Sequence, residues 1–157
     1  MNAAKLLEQS HMMVLSTVDD FPERQWDIPG VCGNWSVKDI IAHLTSYEHL
    51  LVDVLNTLVS DAPTPYLDKF VGQREKFNTS EVAARQYQTA QQVIDEYNET
   101  QLQSTDLLTK IPAEKITLVG TVPWNKDRCV ADEINNLYAH TSEHCMQIKA
   151  FREQEPA

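Results

Sequence analysis

Gly33-Asn34-Trp35-Ser36-Val37-Lys38-Asp39-Ile40-Ile41-Ala42-His43-Leu44 reads as the end of a loop and the start of a long helix. Ser36 carries a side-chain oxygen suited to the first free amides of a helix, and Asp39 stands three residues on, near the capping-box position. Ile40, Leu44, Leu51, Leu55 and Leu58 then form the apolar stripe of a helix expected from about Val37 to Val59. His43 lies three residues after Ile40 and four before Tyr47, so it borders that stripe.

Three more helices follow from the same reading. Ala4, Leu7, His11, Val14 and Val18 predict a helix over Ala3 to Val18. Asn78 and Glu81 are taken as the start signal of a third, from about Ser80 to Leu108, with Val82, Gln86, Ala90, Val93, Tyr97 and Gln101 on its stripe. Val130, Ile134, Leu137, Thr141, Cys145 and Ile148 place a fourth from about Val130 to Phe151. Clusters of proline and glycine around Pro29 to Gly33, Pro63 to Pro65 and Pro112 to Pro123 mark the breaks. Tyr66 to Phe77 has room for a short extra helix, and Lys115 to Val122 reads as loop or a brief extended piece. Four amphipathic helices in 157 residues predict an all-α four-helix bundle, with residues 1–157 as a single domain. The connection Asp20 to Trp35 is long for a plain hairpin, as are connections that cover a site.

Composition narrows the function classes. Thirteen basic residues against 23 acidic ones give a formal net charge of −10 with no basic block, which disfavours nucleic acid and anionic membranes as partners. No apolar run approaches the roughly 20 residues of a membrane span. The start Met1-Asn2-Ala3-Ala4-Lys5 lacks the pattern of a signal peptide, so a cytoplasmic location is expected. Cys32, Cys129 and Cys145 form no CxxC pair and argue against a disulfide framework. Cys145 adjoins His144 but points about 100° away on a helix, so it reads as a buried thiol and not as half of a Cys–His pair.

The chemistry concentrates on histidine. His140 and His144 stand four apart on the last helix and border its inward face. An HxxxH pair is a weak signal alone; His43, inward on a second helix, strengthens it. Three imidazoles on one divalent ion leave positions open for water or substrate. Neutral imidazole suits Ni, Zn, Fe(II) and Cu, so ligand type does not select the metal. Such an ion lowers the pKa of a bound water toward neutrality, or activates a thiolate. Asn136 and Glu133 lie one and two turns before His140, Tyr47 one turn after His43 and Asp39 one turn before it; these are the candidates for anchoring the ligands or moving protons. His49, rotated by about 240° from His43, is expected to face solvent. His11 reads as a hydrogen-bonded core residue, Trp35 as a packing residue at the helix start, and Trp124 as a cover for one end of the core.

The segment Trp35 to Leu44 followed by Tyr47-Glu48, and the segment Asn136 to His144 followed by Gln147-Ile148, resemble the two motifs of the DinB-like superfamily, including its DfsB-like branch. The resemblance extends in helix order over nearly the whole chain. It implies an up-down-down-up four-helix bundle with a three-histidine divalent metal site, carried here by His43, His140 and His144. It further implies thiol-dependent transfer or isomerisation with a low-molecular-weight thiol, or hydrolysis, acting on a small molecule, and pairing of two copies into a homodimer. The reading is therefore a metal-dependent enzyme that transfers a thiol to, or hydrolyses, a small electrophile, with Asn136, Tyr47 and Glu133 as the catalytic candidates. The alternative is a binding protein that sequesters a small toxic molecule without chemistry.

Overall fold

The computed structural model describes residues 2–154; Met1, quoted in the N-terminal reading, lies outside them. The described residues hold seven α-helices and no strand: α1 (Ala3–Val18), α2 (Val37–Asn56), α3 (Pro65–Gly72), α4 (Arg74–Ala84), α5 (Ala90–Thr109), α6 (Ala113–Ile116) and α7 (Val130–Gln154). A 3-10 turn, Glu23–Gln25, sits between α1 and α2. None of these helices is long and apolar enough to cross a membrane.

The helix starts have local chemical causes. The Ser36 side chain accepts from Asp39 N at 3.1 Å and the Asp39 carboxylate accepts from Ser36 N at 3.0 Å, a complete capping box. Thr89 and Gln92 repeat the device at α5, with bonds of 3.1 and 2.9 Å. α3 begins differently, because Asp53 on α2 accepts from Tyr66 N and Leu67 N at 2.7 and 3.0 Å. A carboxylate at a helix N-terminus satisfies free amides and opposes the helix dipole.

The third helix expected over Ser80 to Leu108 is two helices. α4 ends at Ala84 and α5 starts at Ala90. The stripe Val82-Gln86-Ala90 runs across a turn whose carbonyls Gln86 O and Gln88 O accept from the buried Lys38 ammonium at 3.1 and 2.9 Å. This satisfaction from α2 holds the turn open, and Thr89 restarts the helix. The short helix expected near Tyr66 to Phe77 is α3 together with the start of α4. Lys115 and Ile116 end the one-turn α6 instead of belonging wholly to a loop or extended piece. α2 stops at Asn56 and α7 continues to Gln154.

α1 packs on α7 and α5, and α2 packs on α5 and α7. α2 is buried on nearly all sides, since α3 and α4 cover the face that the other long helices leave. The core falls into two apolar clusters. One gathers Val14, Val18, Ile40, Leu44, Val93, Tyr97, Cys145 and Ile148. The other gathers Leu7, Leu51, Leu55, Phe77, Leu108, Ile134 and Leu137. Between them each long helix contributes buried polar groups: His11 from α1, His43 and Glu48 from α2, Thr100 and Ser104 from α5, and Thr141 and His144 from α7. A polar layer inside an apolar core is unfavourable unless its groups find partners.

Candidate metal centre

Part of that layer is self-satisfied. His11 Nε2 lies 2.8 Å from Glu48 Oε1, and Ser104 Oγ donates to the same oxygen at 3.0 Å. His11 is thus the hydrogen-bonded core residue expected, tied to Glu48.

The other part is not self-satisfied. His43 on α2 and His140 and His144 on α7 turn their rings together, and one ring nitrogen of each lies within 4.8 Å of the others. His140 Nε2 is 3.1 Å from His43 Nε2 and 3.0 Å from His144 Nε2. An imidazole nitrogen has either one N–H or one in-plane lone pair. His140 Nε2 can therefore complete a hydrogen bond with one neighbour but not both. A shared cation satisfies three lone pairs at once. Two nitrogens each about 2.0–2.1 Å from one ion stand roughly 3–3.4 Å apart, depending on the angle. The two separations at His140 Nε2 match that span, and the three nitrogens together could hold a divalent ion.

The electrostatics suit ligation. Burial, with the neighbouring charges of His140 and His144 adding to it, lowers His43 to about 3. Burial and His144 lower His140 as well. Both rings are held toward the neutral form that binds metal. His144 Nδ1 faces Gln147 Oε1 at 2.8 Å, which places the proton on Nδ1 and the lone pair on Nε2. His43 Nδ1 is buried with no hydrogen-bond partner among the described residues. The Trp35 ring lies 4.8 Å from the His43 ring and 6.5 Å from His144. Trp35 therefore walls the cluster as well as packing at the helix start. It is held there by a tight turn, Cys32 to Trp35, in which Gly33 has φ +58°, the left-handed region.

Tyr47, Glu133, Asn136 and His140 line one cavity of about 240 Å³, whose remaining wall is apolar and includes Leu50, Leu51, Val54 and Trp124. The Tyr47 hydroxyl donates to Asn78 Oδ1 at 2.9 Å, and burial raises its pKa. Burial also raises Glu133, partly offset by Arg128. Arg128 Nη1 lies 2.9 Å from Glu133 Oε1, off the line of a hydrogen bond. With its amide turned so that the oxygen faces the guanidinium, Asn136 accepts from Arg128 Nη1 at 3.1 Å and from Nη2. Asp39 is not beside the cluster's nitrogens in any bond; its carboxylate closes the cap at Ser36.

His49 departs from the expectation of a solvent-facing ring. It is half-buried, 2.8 Å from Glu96 Oε2 and stacked on Tyr66 at 4.2 Å. Helix rotation places it away from His43 correctly, but α3 and α5 cover that side. Sequence reasoning also missed Arg128, Arg74 and Asn78, which stand at the outer end of the cavity. They are isolated polar residues in loop or short-helix context, with no spacing to mark them.

No curated protein matches the chain. A crystal structure of a Streptococcus pneumoniae protein from a structural genomics programme superposes with a TM-score of 0.78 at 11% identity, over 98% of this chain and 91% of that one. At that identity the likeness is one of fold. The sequence profile of the DinB superfamily matches residues 6–148, nearly the whole chain and both histidine-bearing segments. The chain belongs to the DinB superfamily.

Proposed function

We propose that the protein is a metal-dependent enzyme acting on a small electrophilic molecule, by thiol transfer or by hydrolysis, with His43, His140 and His144 as the metal ligands. The observation that carries this reading is His140, which belongs both to the converging nitrogens and to the lining of the apolar cavity. A divalent ion there, nickel, zinc or iron, supplies Lewis acidity that lowers the pKa of a bound water or low-molecular-weight thiol. Leu50, Leu51, Val54 and Trp124 exclude bulk water. Tyr47, kept protonated by its burial and aimed by its bond to Asn78, presents its hydroxyl oxygen as a hydrogen-bond acceptor for the substrate. Glu133, raised toward neutrality by burial, is the proton acceptor, and Asn136 orients a polar group of the substrate. The same reading takes α1, α2, α5 and α7 as an up-down-down-up four-helix bundle; the pairing of α1 and α2 each with α5 and α7 supports it.

The test is elemental analysis of wild type and His144→Ala after dialysis against metal-free buffer, followed by turnover assays of a thiol with an electrophile and of ester or amide hydrolysis. Near-stoichiometric metal in the wild type, lost with turnover in the variant, is the expected result. Undiminished turnover by metal-free protein rejects the reading. The apolar cavity also suits simple capture of a small molecule. Capture gives stoichiometric binding with no product, whereas an enzyme turns over many times in excess substrate.

A further inference from the structure

The cavity that ends at His140 does not stop at Glu133. A second cavity of about 360 Å³ shares Tyr47, Leu50, Trp124, Glu133 and Asn136 with it, so the two adjoin. The outer one adds Arg74, Arg128, Asn78 and Phe70. Two guanidinium groups thus line one hollow in a chain of net charge −10, and among the described residues Glu133 is the one carboxylate in either lining.

The two arginines are differently engaged. Arg128 lies against Glu133 and the Asn136 amide. Arg74 lies over the Phe70 ring at 4.7 Å, and no carboxylate is within ion-pair distance of it among the described residues. The contrast with Arg85 is direct: that buried guanidinium is bound by both Glu81 and Glu96. Glu133 and Asp132 both act on Arg128, whereas Arg74 at the outer end has no carboxylate ion-paired to it among the described residues. Arginine forks match carboxylate geometry, and their charge is worth more beside apolar walls than in water. Phe70 packs on Trp124 at 4.8 Å and on Tyr47 at 6.1 Å, so an aromatic wall runs from the arginine end toward His140.

We propose that the doubled cavity binds a small organic carboxylate lengthwise. The carboxylate docks on Arg74 and Arg128, the apolar body lies along Leu50 and Trp124, and the far end of the molecule reaches His140. This names a substrate class for the metal-site reading and rests on that reading for the chemistry at the far end. The docking of the carboxylate requires no metal.

The experiment is an NMR titration of the metal-free, full-length protein with phenylacetate and with its uncharged counterpart phenylacetamide. The acid is expected to bind about tenfold more tightly than the amide, the discrimination of one charge-assisted hydrogen-bonded contact. In the double variant Arg74→Gln with Arg128→Gln the two affinities converge. The single variant Arg74→Gln, at an exposed residue whose side-chain contact is the Phe70 ring, narrows the preference while leaving the Arg128–Glu133 contact in place. Equal affinity for acid and amide in the wild type, absence of binding by either, or a preference that survives in the double variant overturns the proposal. Metal uptake measured on the same proteins separates the two readings. A wild type that prefers the acid but takes up no metal keeps the carboxylate site and rejects the metal enzyme; one that takes up metal without preferring the acid does the reverse.

Discussion

His144 depends on Gln147 for its tautomer, since the amide oxygen 2.8 Å from Nδ1 directs the proton away from Nε2. Replacing Gln147 by Ala should weaken metal binding by about 10–100-fold, as the loss of outer-shell partners does at other histidine sites. Competition with a chelator of known affinity measures this, and unchanged affinity would show that the bond is incidental. His43 presents the opposite case. It is 2% exposed, its Nδ1 has no partner among the described residues, and its ring is held neutral. Substitution His43→Leu should therefore raise the stability of the metal-free protein by about 1 kcal/mol while abolishing metal uptake. Denaturant unfolding in the presence of chelator reads the first effect, and a loss of stability there would mean that the imidazole is better satisfied than its surroundings indicate.

Helices α2, α3, α4 and α5 are joined by one ionic network. Arg85 donates to Glu96 Oε1 and Oε2 at 2.9 and 2.8 Å, to Glu81 Oε1 at 3.0 Å and to the Tyr66 hydroxyl at 3.2 Å. His49 reaches Glu96 from α2, and Lys69 reaches Glu81 from α3. Burial alone would raise Glu96, but the bonds from His49 and Arg85 outweigh it and hold the carboxyl at about 2, against 4.5 for a free one. The folded state thus favours the ionised form. Its contribution is complete above about pH 4.5 and is lost as pH falls toward about 2. Glu96→Gln should lower stability at neutral pH by roughly 2 kcal/mol, between the values for exposed and buried pairs. It should also flatten the fall in stability between pH 4.5 and 2. Chemical denaturation across that range is the measurement, and a variant with the wild-type pH profile would remove Glu96 from the network's energetics.

The whole molecule is built as two apolar clusters with a polar layer between them, and the three-histidine cluster spans two helices of that layer. A ligand that binds only the folded chain stabilises it by mass action. Adding a divalent ion at about 100 times its dissociation constant should raise unfolding free energy by about 2.7 kcal/mol. Thermal unfolding with and without ion reports this as a concentration-dependent rise in Tm that is absent in His140→Ala. A rise of equal size in that variant would place the binding ion elsewhere on this acidic surface.

How much of this was legible in the sequence depends on the range of the interaction concerned. The Ser36–Asp39 cap, the inward stripe of α7 and the facing of His43, His140 and His144 all follow from residue type and a 3.6-residue period, because each is a property of one helix about its own axis. The pairing Thr89–Gln92 was equally local and could have marked the start of α5, but the apolar positions across the turn masked it. What only the tertiary structure decided are the meetings between helices. Lys38 satisfies the turn before α5, His49 finds Glu96 under cover of α3, His11 joins Glu48 instead of the three-histidine cluster, and Arg74 and Arg128 arrive at one hollow from different segments. The physical reason is that periodicity sets the direction of a side chain, whereas its partner is set by the separation and rotation of packed axes, and those depend on the whole chain at once.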